Sequence, residues 1–193
     1  MDTRDGLPIA YFDTASMWQA WLDEHHAASK GIWLKLAKKG AKAPVLAYGE
    51  ALEAALCYGW IDGRKGALDE AHWLQKFTPR GPRSAWSKIN CVKAQKLIEA
   101  GRMKPAGLAR VEEAQRDGRW DRAYDPQSKA SVPGDFQDAL DKEPRAAAFF
   151  GTLDRLNRYA ILYRIQRVKR PQTRARRITE FIAMLRRREK IHP

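Results

Sequence analysis

Three stretches of this chain gather residue types that could do chemistry. In the first, Ala55-Leu56-Cys57-Tyr58-Gly59-Trp60-Ile61-Asp62-Gly63, a helical pattern stops at Gly59 and a short strand carries Trp60 and Asp62 between glycines. Glycines on both sides let a ligand or another backbone approach closely. Two readings follow. Either Trp60 and Asp62 line a pocket, with Asp62 as an acceptor or a catalytic general base, or Trp60 is core and Asp62 holds the turn through backbone amides. The second stretch runs from Phe77 to Asn90, where Pro79 and Pro82 stiffen a loop that delivers Arg80 and Arg83 to a helix capped by Ser84. Free amides at a helix start attract anions, and Trp86 offers a face for stacking or cation–π contact. Ser87 and Asn90, one turn apart, add hydrogen-bonding groups. The plainer alternative is a capped helix with solvated arginines and a core Trp86.

The third stretch lies between Arg164 and Arg177. Pro171 breaks one helix and Thr173 caps the next, which puts Arg174, Arg176 and Arg177 in its first turn. There the helix dipole disfavours each cation by about 0.3–1 kcal/mol. A bound anion, an acidic partner or salt bridges would offset that, so Lys169, Arg170, Arg174, Arg176 and Arg177 form a candidate anion- or partner-binding set. A solvated basic face is the competing reading. Ile178, Phe181, Ile182 and Leu185 then make an apolar stripe, so this helix is expected to dock on the protein body.

Charge supports the third stretch. The 193 residues carry a net +13. Residues 1–142 hold 22 basic and 19 acidic side chains, whereas residues 143–193 hold 14 basic and 4 acidic, most of the basic ones arginine. Arginine suits bidentate contact with phosphate or carboxylate. Nucleic acid, an acidic protein and a phosphate- or carboxylate-bearing ligand are the partner classes this implies.

Other chemistry has little support. Cys57 and Cys91 stand among apolar neighbours and read as free thiols; the four histidines make no metal-binding pattern, and no cofactor motif is present. Glu50 and Glu53 lie one turn apart, as many solvated glutamates do. The first residues have no apolar signal region and no run reaches a membrane span of about 18–20 residues, so a cytoplasmic protein is expected. Oligomeric state is not encoded in any visible pattern.

The elements that must position these residues form an α+β arrangement, mostly helical. A helix is expected over Phe12 to His26 with Thr14 as its cap, a strand over Ile32 to Leu36, a polar loop over Lys38 to Pro44, and a helix over 46–58. Gly63 and Gly66 bracket a turn before a strand over His72 to Thr78. Helices follow over 85–100, 105–117, 135–141, from Pro144, over 153–169 and over 174–189. The economical fold is a small antiparallel sheet in the N-terminal half covered by helices, then a helical C-terminal part. The loop over 118–134 supplies the boundary: an α+β body over 1–125 and an arginine-rich helical part over 126–193, as one domain or two docked halves.

These motifs together resemble the YdeI/OmpD-associated family, also called bacteriocin-protection or OmdA proteins. The carriers are the Trp18–Leu22 helix with the Trp33 strand, Ala55 to Gly63, and Phe77-Thr78-Pro79-Arg80 followed by Ser84-x-Trp86-Ser87-x-x-Asn90. Gly101-Arg102-Met103-x-Pro105-Ala106-Gly107 and the Lys169–Ile178 segment complete the likeness. The resemblance implies protection against bacteriocins or cationic peptides and association with an outer-membrane porin, and brings no catalytic residues. The reading expected overall is a non-catalytic binding or stress-protection protein for an anionic partner. The alternatives are an enzyme or sensor built on Trp60, Asp62, Arg80, Arg83 and Trp86, and a scaffold for an acidic protein.

Overall fold

A computed structural model describes residues 2–38, 46–168 and 170–193. The expected polar loop beyond Lys38, and Lys169, lie outside the described residues. The chain forms two compact units, Met1–Trp86 with Asn90–Asp121 and Ser87–Ile89 with Arg122–Pro193.

The first unit contains β1 (Thr3–Arg4), β2 (Leu7–Ala10), α1 (Ala15–His25), β3 (Ile32–Ala37), α2 (Tyr48–Cys57), β4 (Trp60–Ala67) and β5 (His72–Pro79). Most of α3 (Lys88–Glu99) and all of α4 (Pro105–Arg116) complete it. The five strands make one sheet in the order β1-β2-β3-β5-β4. All pairs are antiparallel except β2 with β3. That pair is parallel because α1 carries the chain back between them, as a crossover must. Thr14 caps α1 as expected, its side chain accepting from the Met17 amide at 3.2 Å. Gly63 does not turn the chain. It sits with Arg64 in an irregularity of β4 between Asp62 and Lys65, while Gly66 pairs with Leu74 inside the ladder.

Strand register decides which face is core. Pairing of Ile32 with Phe77 and Leu36 with Trp73 aligns the alternate residues of β3 and β5. Ile32, Leu34, Leu36 and Phe77 are buried together with Trp18 and Leu22 of α1 and Ala51, Leu52 and Ala55 of α2. The indole N–H groups of Trp18 and Trp60 donate to the carbonyls of Ala51 and His26, each at 3.1 Å, so these large rings bury no unpaired donor. Trp33, on the opposite face, is also fully buried, beneath Arg4, Arg64 and Lys76. Edge strands of a flat five-stranded sheet stand about 19 Å apart. Here Arg4 of β1 donates to Ala67 O of β4 at 3.1 Å and Arg64 pairs with Asp5, so the sheet curls over Trp33.

Two glycines let α4 approach the end of α2. A Cβ on Gly107 would stand 2.2 Å from Cys57 O, and one on Gly59, whose φ is 73°, would stand 2.8 Å from Ala106 O. Backbone meets backbone here, and Lys104 N–H donates to Cys57 O at 3.1 Å. This packing gives a structural reason for the glycines of two motifs.

The second unit is built on α5 (Gly134–Asp141), α6 (Pro144–Thr152), α7 (Arg155–Gln166) and α8 (Pro171–Arg186). Phe136, Phe150, Ile161, Ile165, Phe181 and Leu185 anchor its core. The stripe Ile178, Phe181, Ile182 and Leu185 is buried, and α8 contacts α5, α6 and α7. Buried Asn157 ties down the chain end, its Oδ1 accepting from the amides of Ile191 at 3.0 Å and His192 at 2.9 Å. The fold is therefore α+β, with a small sheet in the N-terminal half and a helical C-terminal part. Among the described residues no helix is long and apolar enough to cross a membrane.

Candidate anion-binding site

The residues of the first two motifs are held by other protein groups. Trp60 is 1 % exposed and packs edge-on against Trp18 and Trp21. Asp62 is half-buried and accepts from the Tyr48 hydroxyl at 2.7 Å. Arg80 is only 3 % exposed. Its guanidinium lies 3.7 Å from the centroid of the Trp86 ring and donates to Ala85 O at 3.2 Å. Trp86, also buried, tilts against Trp120. Arg80 and Trp86 thus meet, while Trp60 and Asp62 spend their polar atoms on His26 and Tyr48.

Ser84 is not a helix cap. Its Oγ accepts from the Gly81 amide at 3.1 Å and its carbonyl accepts from Arg119 at 3.1 Å, so residues 81–84 form a closed turn and α3 starts later, at Lys88. The Lys88 amide donates to Tyr124 O at 2.9 Å, and Ser87 bridges to Tyr124, so protein groups take up this start of the helix. Ser87 and Asn90 are buried; Arg83 stays exposed. The Glu50 carboxylate accepts from the Ala47 amide at 3.1 Å, whereas Glu53 pairs with Lys93 at 3.0 Å and Arg102 at 3.4 Å. The Lys93 ammonium holds the Glu53 carboxyl below the usual range. Both carboxylates are thus engaged by other protein groups.

At the third motif the helix begins earlier than expected. Pro171, rather than Thr173, opens α8, because a first-turn proline gives up an amide that has no helical partner anyway. Arg174, Arg176 and Arg177 therefore fall beyond the residues next to the cap, where the dipole penalty fades. Arg174 has a local anion as well. Its Nε and Nη2 grip the two carboxylate oxygens of Asp135 at 2.6 and 2.9 Å, and Nη1 donates to Ile165 O at 2.7 Å. That grip holds the Asp135 carboxyl below its ordinary value. Arg176 and Arg177 both reach Glu180, and Arg170 is exposed.

The other end of α8 is where free positive charge gathers around a hollow. A cavity of about 740 Å³ is lined by Pro144, Arg145, Ala148, Phe149, Thr152, Arg186 and Arg188. A smaller adjoining hollow is lined by Arg145, Ala183, Arg186 and Arg187. No carboxylate is among either set of lining residues. Arg186 lies 3.5 Å from Glu143 and Arg187 pairs with Glu189 at 2.8 Å. Arg145 and Arg188 have no carboxylate partner among the described residues. Arg188 is also one of two non-glycine residues there with positive φ, at 58°.

The sequence reading missed this groove. Arg186-Arg187-Arg188 is a visible run at a helix end, and Arg145 is a visible cation in the first turn of α6, where the dipole disfavours it. Their meeting depends on α6 packing against α8.

A family model described as Domain of unknown function (DUF8412) matches residues 10–110. A second, described as Bacteriocin-protection, YdeI or OmpD-Associated, matches residues 129–188. No curated protein and no solved structure matches the chain.

Proposed function

The chain belongs to the family described as Domain of unknown function (DUF8412) and carries a Bacteriocin-protection, YdeI or OmpD-Associated domain, and on that premise we propose that it is a non-catalytic binding protein for an anionic partner. The observation that carries this reading is the α6–α8 groove, where Arg145, Arg186 and Arg188 line a hollow free of carboxylates. Its surroundings reinforce it. The second unit holds 18 basic and 8 acidic side chains, a net +10 of the chain's +13. Such a field draws anions in and repels cationic peptides. Arg170, Arg176 and Arg177 add to this field from the start of α8; Arg174 is spent on Asp135. Arg80 and Trp86 serve as an internal staple in the first unit, each covering the other.

Calorimetric titration with inorganic pyrophosphate, beside anisotropy with a short labelled DNA, tests the reading at low and high salt. At least one anion should bind at low salt, with affinity falling as salt rises. The double variant Arg145→Glu with Arg188→Glu should lose that binding. Absence of binding by both anions at low salt, or unchanged affinity in the double variant, overturns it.

A further inference from the structure

We propose that the α6–α8 groove is built for a compact amphiphilic acid, a phosphate or carboxylate carried on a hydrocarbon or aryl body. This rests on the anionic reading above and names its ligand. The two sides of the groove differ in chemistry. From α6 come Pro144, Ala148 and Thr152, spaced four residues apart along one face, with Phe149 beside them. The Thr152 hydroxyl donates to Phe149 O at 2.8 Å, so it is turned to its own helix. Arg186 and Arg188 come from the end of α8, with Arg145 at the start of α6.

The α8 side therefore offers only guanidinium donors, while the α6 side offers mostly carbon with Arg145 as its one cation. A guanidinium only donates, and its planar fork fits a carboxylate or phosphate in bidentate fashion. A sugar or a base edge would bring hydroxyls and amides that need acceptors as well, and no lining side chain is an amide or a carboxylate. A ligand with its acceptors at one end and an apolar body at the other leaves no polar group unmatched. The volume of about 740 Å³ falls within the range of small-molecule sites.

Arg188 supports the assignment from the backbone side. It follows α8 in the left-handed region, at φ 58°, a position that usually belongs to glycine. The turn is a full helix-ending motif, with Glu189 N–H donating to Met184 O at 3.1 Å and Arg188 N–H to Leu185 O at 3.0 Å. Strained arginine at a cavity wall, with no carboxylate of its own, fits a residue kept for its charge.

The test is calorimetric titration with 1-naphthyl phosphate, inorganic phosphate and 1-naphthol, together with co-sedimentation on phosphatidylcholine vesicles containing phosphatidylglycerol. Naphthyl phosphate should bind at least about tenfold more tightly than inorganic phosphate, through the ring it buries, and naphthol should not bind. Ala148 is exposed, so Ala148→Glu places a charge on the apolar wall without touching the core, which a thermal melt verifies. That variant should lose naphthyl phosphate. Equal affinity for the two phosphates overturns the amphiphilic ligand while leaving the anionic reading intact, and so does unchanged affinity in Ala148→Glu. No binding of either phosphate, with pyrophosphate and DNA also failing, overturns both. Vesicle binding without soluble-probe binding makes the face a membrane surface and also overturns the inference.

Discussion

Arg188 occupies a backbone conformation that an L side chain enters at about 1–2 kcal/mol. Glycine would remove that strain but would regain about 0.5–1 kcal/mol of freedom on unfolding. Arg188→Gly and Arg188→Ala both delete a cation from the end of α8, and so share a loss of about 0.3–1 kcal/mol against the helix dipole. Comparing the two variants with each other cancels that shared loss and isolates the backbone. The glycine variant should be the more stable by about 0.5–1 kcal/mol. Urea unfolding followed by circular dichroism at 222 nm is the appropriate assay. All seven tryptophans lie in the first unit, so tryptophan fluorescence would report on the wrong one. Both variants should weaken pyrophosphate binding about tenfold, because each removes the same charge. An alanine variant as stable as the glycine one refutes the strain argument. Unaltered pyrophosphate affinity in both refutes a ligand-facing role for Arg188.

Gly107→Ala should destabilise the first unit by about 1–3 kcal/mol or more, because its Cβ would stand 2.2 Å from Cys57 O. Thermal unfolding followed by tryptophan fluorescence checks this, and an unchanged midpoint would show that α4 can back away. Hydrogen bonding to Arg174 lowers the Asp135 pKa in the folded state, so its stabilisation is complete above the unfolded value of about 3.9 and is lost as pH falls through the folded value. Asp135→Asn should therefore flatten the acid limb of the stability–pH curve below about pH 4, read by circular dichroism; a limb identical to that of the parent protein would contradict the pairing. At neutral pH Arg174→Ala should cost about 1 kcal/mol, since it strips a charged hydrogen bond from a half-exposed carboxylate. Burial pushes the Cys91 thiol up to about 11 and raises Cys57 as well, so both should resist iodoacetamide at pH 7.5 until the protein unfolds. Rapid labelling of the native protein would contradict that.

Much of the fold is written in local pattern. The Thr14 cap, the strand alternation of Ile32, Leu34 and Leu36, Pro105 at the start of α4 and the stripe from Ile178 to Leu185 each report what their own element buries. Short elements escaped, since β1 and β2 span two and four residues, too few for a period to show. Punctuation residues were ambiguous for a different reason. Pro171 both ends what precedes it and begins α8, and Gly63 suits a strand irregularity as well as a turn.

The sequence by itself determined the class of fold, the buried stripes and the concentration of arginine toward the C-terminus. Only tertiary structure decided which arginines are spent and which are free. An arginine in a proline-rich loop reads as solvated, yet Arg80 is buried on Trp86. In the cluster at the start of α8, Arg174 alone finds its anion in Asp135, 39 residues before it. Arg145 and Arg186 share a hollow although 41 residues part them. Periodicity along a helix records its apolar contacts because burial repeats with the turn. A charge carries no such period, and its partner is set by distance through space.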